Sequence, residues 1–148
     1  MRLWHKGLLC ALPTQQLVSQ WRECCAIARN LDLIGTPNHI LVNRILEYPL
    51  SHFYSYSMLV LEEMSKRGFV SSSASFIKFE DHLFKAMEKM NDQLDDIQYD
   101  LIFYNWHNDK YFWQCIANLE EKHDCGGITD DEWDEIEDVS VLYAYPCE

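Results

Sequence analysis

Arg22 and Glu23 stand side by side in the stretch Leu12-Pro13-Thr14-Gln15-Gln16-Leu17-Val18-Ser19-Gln20-Trp21-Arg22-Glu23-Cys24-Cys25. Neighbouring side chains on a helix point about 100° apart. The cation can therefore meet a phosphate while the carboxylate faces a reacting carbon; a solvated charge pair on an outer face is the other reading of the same two residues. A second reactive group is the N-terminal amine of Met1-Arg2-Leu3-Trp4-His5. An α-amine ordinarily titrates near ~8, against ~10.4 for lysine. Much of it is a neutral nucleophile at neutral pH, able to form a Schiff base with an aldehydic sugar carbon. The bulk of Arg2 is expected to discourage removal of the initiator methionine, which leaves the amine on Met1. The site expected from these residues joins the Met1 amine to Glu23.

Six histidines (His5, His39, His52, His82, His107, His123) add titratable groups. His39 and His107 are the candidates for polar groups lining the site, with a structural role as the alternative for each. Cys115, His123 and Cys125 lie close in sequence, but no CxxC or HExxH pattern accompanies them, so no metal is expected. Trp4, Trp21, Trp106, Trp113, Tyr104 and Tyr111 could stack on bases or fill a core. GxGxxG, GxxxxGK[ST] and GxSxG are all absent, and no cofactor is expected.

The elements that must position these groups read as helices. In residues 12–25, Thr14 is a candidate cap, and Leu17, Trp21, Cys24 and Ala28 form an inward stripe. A loop is expected from Arg29-Asn30 to Gly35. A second helix opens at Thr36-Pro37, carries His39, Ile40, Leu41, Val42, Ile45 and Leu46, and stops at Tyr48-Pro49. Ser51 caps a third, with Phe53, Met58, Leu61 and Met64 inward and Gly68 as its stop. Ser71-Ser72-Ser73 reads as a flexible loop. A fourth helix spans about 79–97, with Leu83, Phe84, Met87, Met90 and Leu94 on one face. Residues 99–106 read as strand or buried loop. A fifth helix covers 108–122, with Tyr111, Phe112, Cys115, Ile116 and Leu119 inward, and Gly126-Gly127 follows it. Thr129-Asp130-Asp131-Glu132 is a capping box before a short acidic helix, and 139–145 look strand-like. The fold expected is a compact, mostly α single domain over residues 1–148, with an acidic extension at about 120–148.

Composition narrows the function classes. With 148 residues, 48% of them hydrophobic, the chain can build a real core and is not a disordered segment. No apolar run reaches the ~20 residues of a membrane helix, and residues 8–12 are too short for a signal peptide. A cytoplasmic protein with free thiols is expected. The net charge of −12 is unevenly spread: residues 1–68 carry seven Lys/Arg and five Asp/Glu, residues 69–148 five and nineteen. A polyanion would have to approach the N-terminal half.

Leu12, Gln15, Leu17, Trp21-Arg22-Glu23 and the 59–69 segment ending in Lys66-Arg67-Gly68-Phe69 carry a resemblance. On them the N-terminal half resembles the pyrimidine-dimer DNA glycosylase family, of the phage endonuclease V type. An uncharacterised bacterial and phage branch of that family is similar over most of the chain: its opening is like Met1-Arg2-Leu3-Trp4-His5, and it shares Leu12–Leu17, Arg22–Cys25, Trp106–Asp109 and Asp124–Gly127. The resemblance implies a small all-α enzyme that flips a nucleotide from duplex DNA. Its N-terminal amine attacks C1′, and a glutamate assists the glycosylase and β-elimination steps. Carried over, Met1 and Glu23 are catalytic. Arg2, Gln15, Gln16 and Arg22 are substrate and DNA contacts, and Arg29 is the nearest substitute for a further arginine that is Ala26 here; Gln16 stands where the family has a helix histidine. Double-stranded DNA is the implied partner. Two other readings remain at this stage. One is a non-catalytic protein whose acidic C-terminal half docks a basic protein; the other is an N-glycosidase acting on a small nucleoside.

Overall fold

The structure, a computed structural model, describes residues 1–146; Cys147 and Glu148 lie outside the described residues. Among them are five α-helices and three short 3-10 turns, with no strand. The helices are α1 (Thr14–Ile34), α2 (Ser51–Lys66), α3 (Ser73–Lys89), α4 (Asp109–Asp124) and α5 (Asp130–Ala144), and the turns are Lys6–Ala11, Asn43–Glu47 and Tyr99–Leu101. The mostly helical expectation holds.

Helix α1 is the spine, packing mainly on α3 and also on α2. Leu17, Trp21, Cys24 and Ala28 are buried as the spacing required, joined by Ile27 and Leu31. The indole of Trp21 lies 5.0 Å from the ring of Phe79 and donates to Ser75 Oγ at 3.0 Å. Two expectations for α1 are corrected. Thr14 is the first helical residue, and Pro13 stands at the cap position with no side-chain cap bond. No loop starts at Arg29-Asn30: the helix runs to Ile34 and stops at Gly35, which sits at φ 73°. Tertiary contacts carry that last stretch. Leu31 is buried, and Asp32 is gripped by His82 (2.7 Å) and Lys89 (2.6 Å) of α3.

The helix expected from Thr36 to Leu46 does not form. Residues 36–42 are a non-helical loop, and only Asn43–Glu47 makes a 3-10 turn. Side chains of Thr36 and Asn43 take up the backbone N–H groups of Asn38 and His39, which competes with helix formation. Val42 and Ile45 are buried while Ile40, Leu41 and Leu46 are exposed.

Ser51 opens α2 without capping it. Its hydroxyl donates to Gln93 O and accepts from Asp95 N–H, and Asp92 accepts from Leu50 N–H. These bonds end α3 at Lys89, short of the expected 97. The inward stripe of α2 is Phe53, Tyr56, Val60 and Met64, with Met58 and Leu61 only partly buried. At its end Gly68 N–H bonds Ser65 O and Phe69 N–H bonds Met64 O, the paired closure of a glycine-terminated helix. Helix α3 starts earlier than expected because Ser72, placed in a flexible loop by the sequence reading, caps Ser75 N–H. Its buried side is Phe79, Leu83, Ala86 and Met87, leaving Phe84, Met90 and Leu94 partly exposed.

Residues 99–106 are neither strand nor wholly buried loop: they open with the 3-10 turn Tyr99–Leu101, and Ile102, Phe103 and Trp106 are inside while Tyr99, Leu101 and Tyr104 are exposed. Asn108 caps α4, and Phe112, Cys115, Ile116 and Leu119 are buried as expected, Tyr111 partly so. The Thr129–Glu132 capping box is formed at α5. Residues 139–144 are helical, not strand-like, because Tyr143 stacks flat on Phe112 at 3.7 Å and bonds Asp109. The acidic C-terminal region is thus docked on α4 and on the first 3-10 turn.

Candidate active site

The first five residues form no regular element and are threaded into the body of the fold, with Leu3 and Trp4 buried. Three side chains from three elements hold their backbone. Gln20 of α1, 1% exposed, accepts from Trp4 N–H at 2.8 Å and donates to Arg2 O at 3.0 Å. Tyr56 of α2 donates to Trp4 O at 2.6 Å, with Gln20 Oε1 also 3.0 Å from its hydroxyl. Tyr111 of α4 donates to Leu3 O at 2.5 Å.

The same Gln20 amide donates to Glu23 Oε2 at 3.0 Å. One buried side chain thus ties the N-terminal segment to the candidate carboxylate a turn further along α1. Burial pushes the Glu23 carboxyl above its usual range. The terminal ammonium, the Arg2 backbone, the Gln20 amide and His39 act the other way. Glu23 is half-buried and Met1 is 42% exposed, so solvent and solutes reach the group.

Glu23 forms one wall of a cleft of about 320 Å³ that also involves Gln15, Gln16 and Ser19 of α1, Trp4 of the N-terminal segment and Lys122 of α4. Positions 15, 19 and 23 fall four apart, on one helical stripe. Gln16 Oε1 is buried there without a hydrogen-bond partner.

Other expected site residues fall at varied places. Arg2 turns its guanidinium back over Trp4 (5.6 Å) and Tyr111 (5.9 Å), with Cys115 Sγ 3.9 Å away. Arg22 and Arg29 are exposed on α1, seven residues and so about two turns apart on one side. Arg22 lines a separate cleft of about 470 Å³ with Trp21, Met64 and the start of α3. His39 is half-buried, its Nδ1 accepting from Leu41 N–H at 3.2 Å. His107 does not line the cleft: it is buried, stacks on His5 at 5.2 Å, and accepts from Lys6 N–H on Nδ1 at 2.9 Å. Burial holds the imidazole of His107 well below the usual histidine range. It anchors the 99–107 loop to the N-terminal segment.

Cys115 is buried, and His123 bonds Asp130 at 2.8 Å and stacks on Trp133 at 5.4 Å. Among the described residues no three His, Cys, Asp or Glu side chains converge as a metal site would require, Cys10, Cys24, Cys25, Cys115 and Cys125 are free thiols, and no helix is long and apolar enough to cross a membrane. Gln20, Ser19, Tyr56 and Lys122 escaped the sequence reading. Gln20 alone left a signal: it is an amide on the apolar stripe that includes Leu17, Trp21 and Cys24.

Compared with known families, residues 1–76 match the model of the pyrimidine dimer DNA glycosylases. No curated protein matches the chain, and no solved structure does. The matched residues include the N-terminal segment, α1 and α2; Lys122 and Tyr111 come from the part beyond them.

Proposed function

Because the chain belongs to the pyrimidine dimer DNA glycosylase family, and DNA is the substrate that family implies, we propose that it excises damaged pyrimidines through its N-terminal amine. The neutral Met1 nitrogen attacks C1′ of the extruded nucleotide, and the electron pair of the N-glycosidic bond leaves with the base. Loss of a proton from nitrogen and opening of the sugar ring give the imine. Glu23 serves first as an acid, protonating the ring oxygen. As a carboxylate it then takes a proton from C2′, which expels the 3′ phosphate by β-elimination. A carboxyl raised by burial holds its proton more readily than a free one, as the acid step requires, and is a stronger base once ionised.

One observation carries this reading. A single buried amide, Gln20, bonds both the Arg2 carbonyl and the Glu23 carboxylate, so the segment bearing the amine and the carboxylate are held as a unit. The cleft beside Glu23 is about 320 Å³, within the ~300–1,000 Å³ range of small-molecule sites. Arg22 and Arg29 would contact phosphates. The carboxylates of α5 (Asp131, Asp134, Glu135, Glu137 and Asp138) are exposed, and they would turn duplex DNA toward the N-terminal half.

Borohydride reduction in the presence of an abasic-site duplex tests the proposal. A covalent adduct is expected, lost when the N-terminus is blocked and still formed, more slowly, by Glu23→Gln. Failure of the unblocked chain to form any adduct overturns the amine mechanism.

A further inference from the structure

A nucleotide drawn out of a duplex leaves a gap in the stack, and many proteins that distort DNA fill such gaps with an apolar side chain. Ile40 is 84% exposed and Leu41 47% exposed, adjacent at the tip of the loop that replaces the expected second helix. The loop is well fixed for a segment without regular structure. Asn43 Oδ1 accepts from His39 N–H at 3.0 Å, His39 Nδ1 accepts from Leu41 N–H at 3.2 Å, and Thr36 Oγ1 accepts from Asn38 N–H at 3.1 Å. Asn38 takes the left-handed conformation at φ 58°. Directly behind the tip, Val42 and Ile45 are fully buried. Two apolar side chains are thus presented to solvent on a rigid base.

Their surroundings favour a nucleic acid as the occupant. Ile40 and Leu41 edge a cleft of about 230 Å³ whose other walls include Arg44, Lys110, Asn108 and Tyr111. Arg44 lies over Trp106 at 5.9 Å and pairs through Nε with Glu47 at 2.8 Å. Lys110 makes no ion pair among the described residues. Apolar residues rimmed by cations and amides suit base faces flanked by phosphates. Tyr111 joins this cleft to the proposed reaction centre, because its hydroxyl holds Leu3 O while its ring lies under Arg2.

We propose that Ile40 and Leu41 form a wedge that enters duplex DNA beside the lesion and occupies the gap left by the extruded nucleotide, with Arg44 and Lys110 on the flanking phosphates. This inference rests on the function proposed above. The test uses the full chain and a duplex carrying a pyrimidine dimer, with 2-aminopurine next to the lesion as a reporter of unstacking. Binding of the unaltered chain should brighten the reporter. The double variant Ile40→Ser, Leu41→Ser should lose the brightening and slow base release about ten-fold or more. Both positions are exposed, so its Tm should match that of the parent, and trapping on a preformed abasic duplex should stay within about two-fold, since no base remains to be extruded. Ile40→Ser alone should show the same pattern to a smaller degree. Absence of brightening with the unaltered chain, a double variant that keeps brightening and rate, or equal loss of trapping and base release each overturns the wedge. An unaltered chain that traps no abasic site overturns the glycosylase reading itself, a distinct result.

Discussion

Replacing Gln20 with leucine probes the junction on which the site depends. The side chains are of similar size, so the change is chiefly one of hydrogen bonding. Trp4 N–H, Arg2 O and Glu23 Oε2 lose their bonds at once, while the Tyr56 hydroxyl, also 3.0 Å from Gln20 Oε1, keeps Trp4 O as its acceptor. The bond to Trp4 N–H is fully buried; the other two lie in partly buried positions where water can replace the amide. An abandoned buried donor costs about 1–3 kcal/mol, and the two wetter bonds contribute about 0.5–1 kcal/mol each. The total is about 2–5 kcal/mol, a large share of the ~5–15 kcal/mol that holds a domain together. At about 2–4 °C per kcal/mol for a chain of this size, the melting temperature should fall by roughly 4–20 °C, read by calorimetry or circular dichroism. Gln20→Glu separates position from stability. It can still accept from Trp4 N–H, but it offers nothing to Arg2 O and sets a second carboxylate against Glu23. That like charge should raise the Glu23 carboxyl further and move the pH profile of adduct formation toward alkali. A melting point within about 1 °C of the parent for the leucine variant, with an unmoved profile for the glutamate variant, would refute the reasoning.

Three further outcomes are expected. Burial raises the Glu23 carboxyl, so its protonated form favours the folded state below the ordinary glutamate range, and that contribution is lost as pH rises through the folded value. Glu23→Gln should therefore melt higher than the parent at pH 7 and show no such gain at the acid end. His5 is pushed down to about 4 by burial. It favours folding above its ordinary ~6.5 and loses about 3 kcal/mol as pH falls toward about 4; His5→Asn, which can still accept from Gly7 N–H, should flatten the acid limb of a Tm-against-pH curve. Arg22→Ala should leave Tm unchanged and reduce the slope of log affinity against log salt for duplex DNA by about 1, as expected for one lost phosphate contact.

What the sequence could show follows from how local each cause is. The stripe of α1, the glycine stop of α2, the Asn108 side of α4 and the Thr129–Glu132 box depend on residues three to four apart, and all appear where their spacing put them. The 36–42 segment misled because its apolar residues mimic a helical stripe. The deciding bonds come from Thr36, His39 and Asn43 side chains to the backbone, and no periodicity reports those. Likewise α1 outlasts its expected end because Lys89 and His82 reach Asp32 from 57 and 50 residues away. In the site, Arg22-Glu23 and the N-terminal amine were legible, and the link between them was not. Gln20 meets the N-terminal segment across 16–18 residues, Tyr56 across 52 and Tyr111 across 108. Lys122 reaches the cleft only because α4 folds back over the N-terminus. His107 shows the converse: a histidine that reads as a ligand contact is a buried strut.

Two amines border the proposed reaction centre, the N-terminus and Lys122. Proteolysis and mass spectrometry of the borohydride-reduced adduct with an abasic duplex identify which one carries the sugar. The expected result is the mass of the reduced sugar on the peptide that begins at Met1. The same mass on the peptide containing Lys122, or on neither, would contradict it.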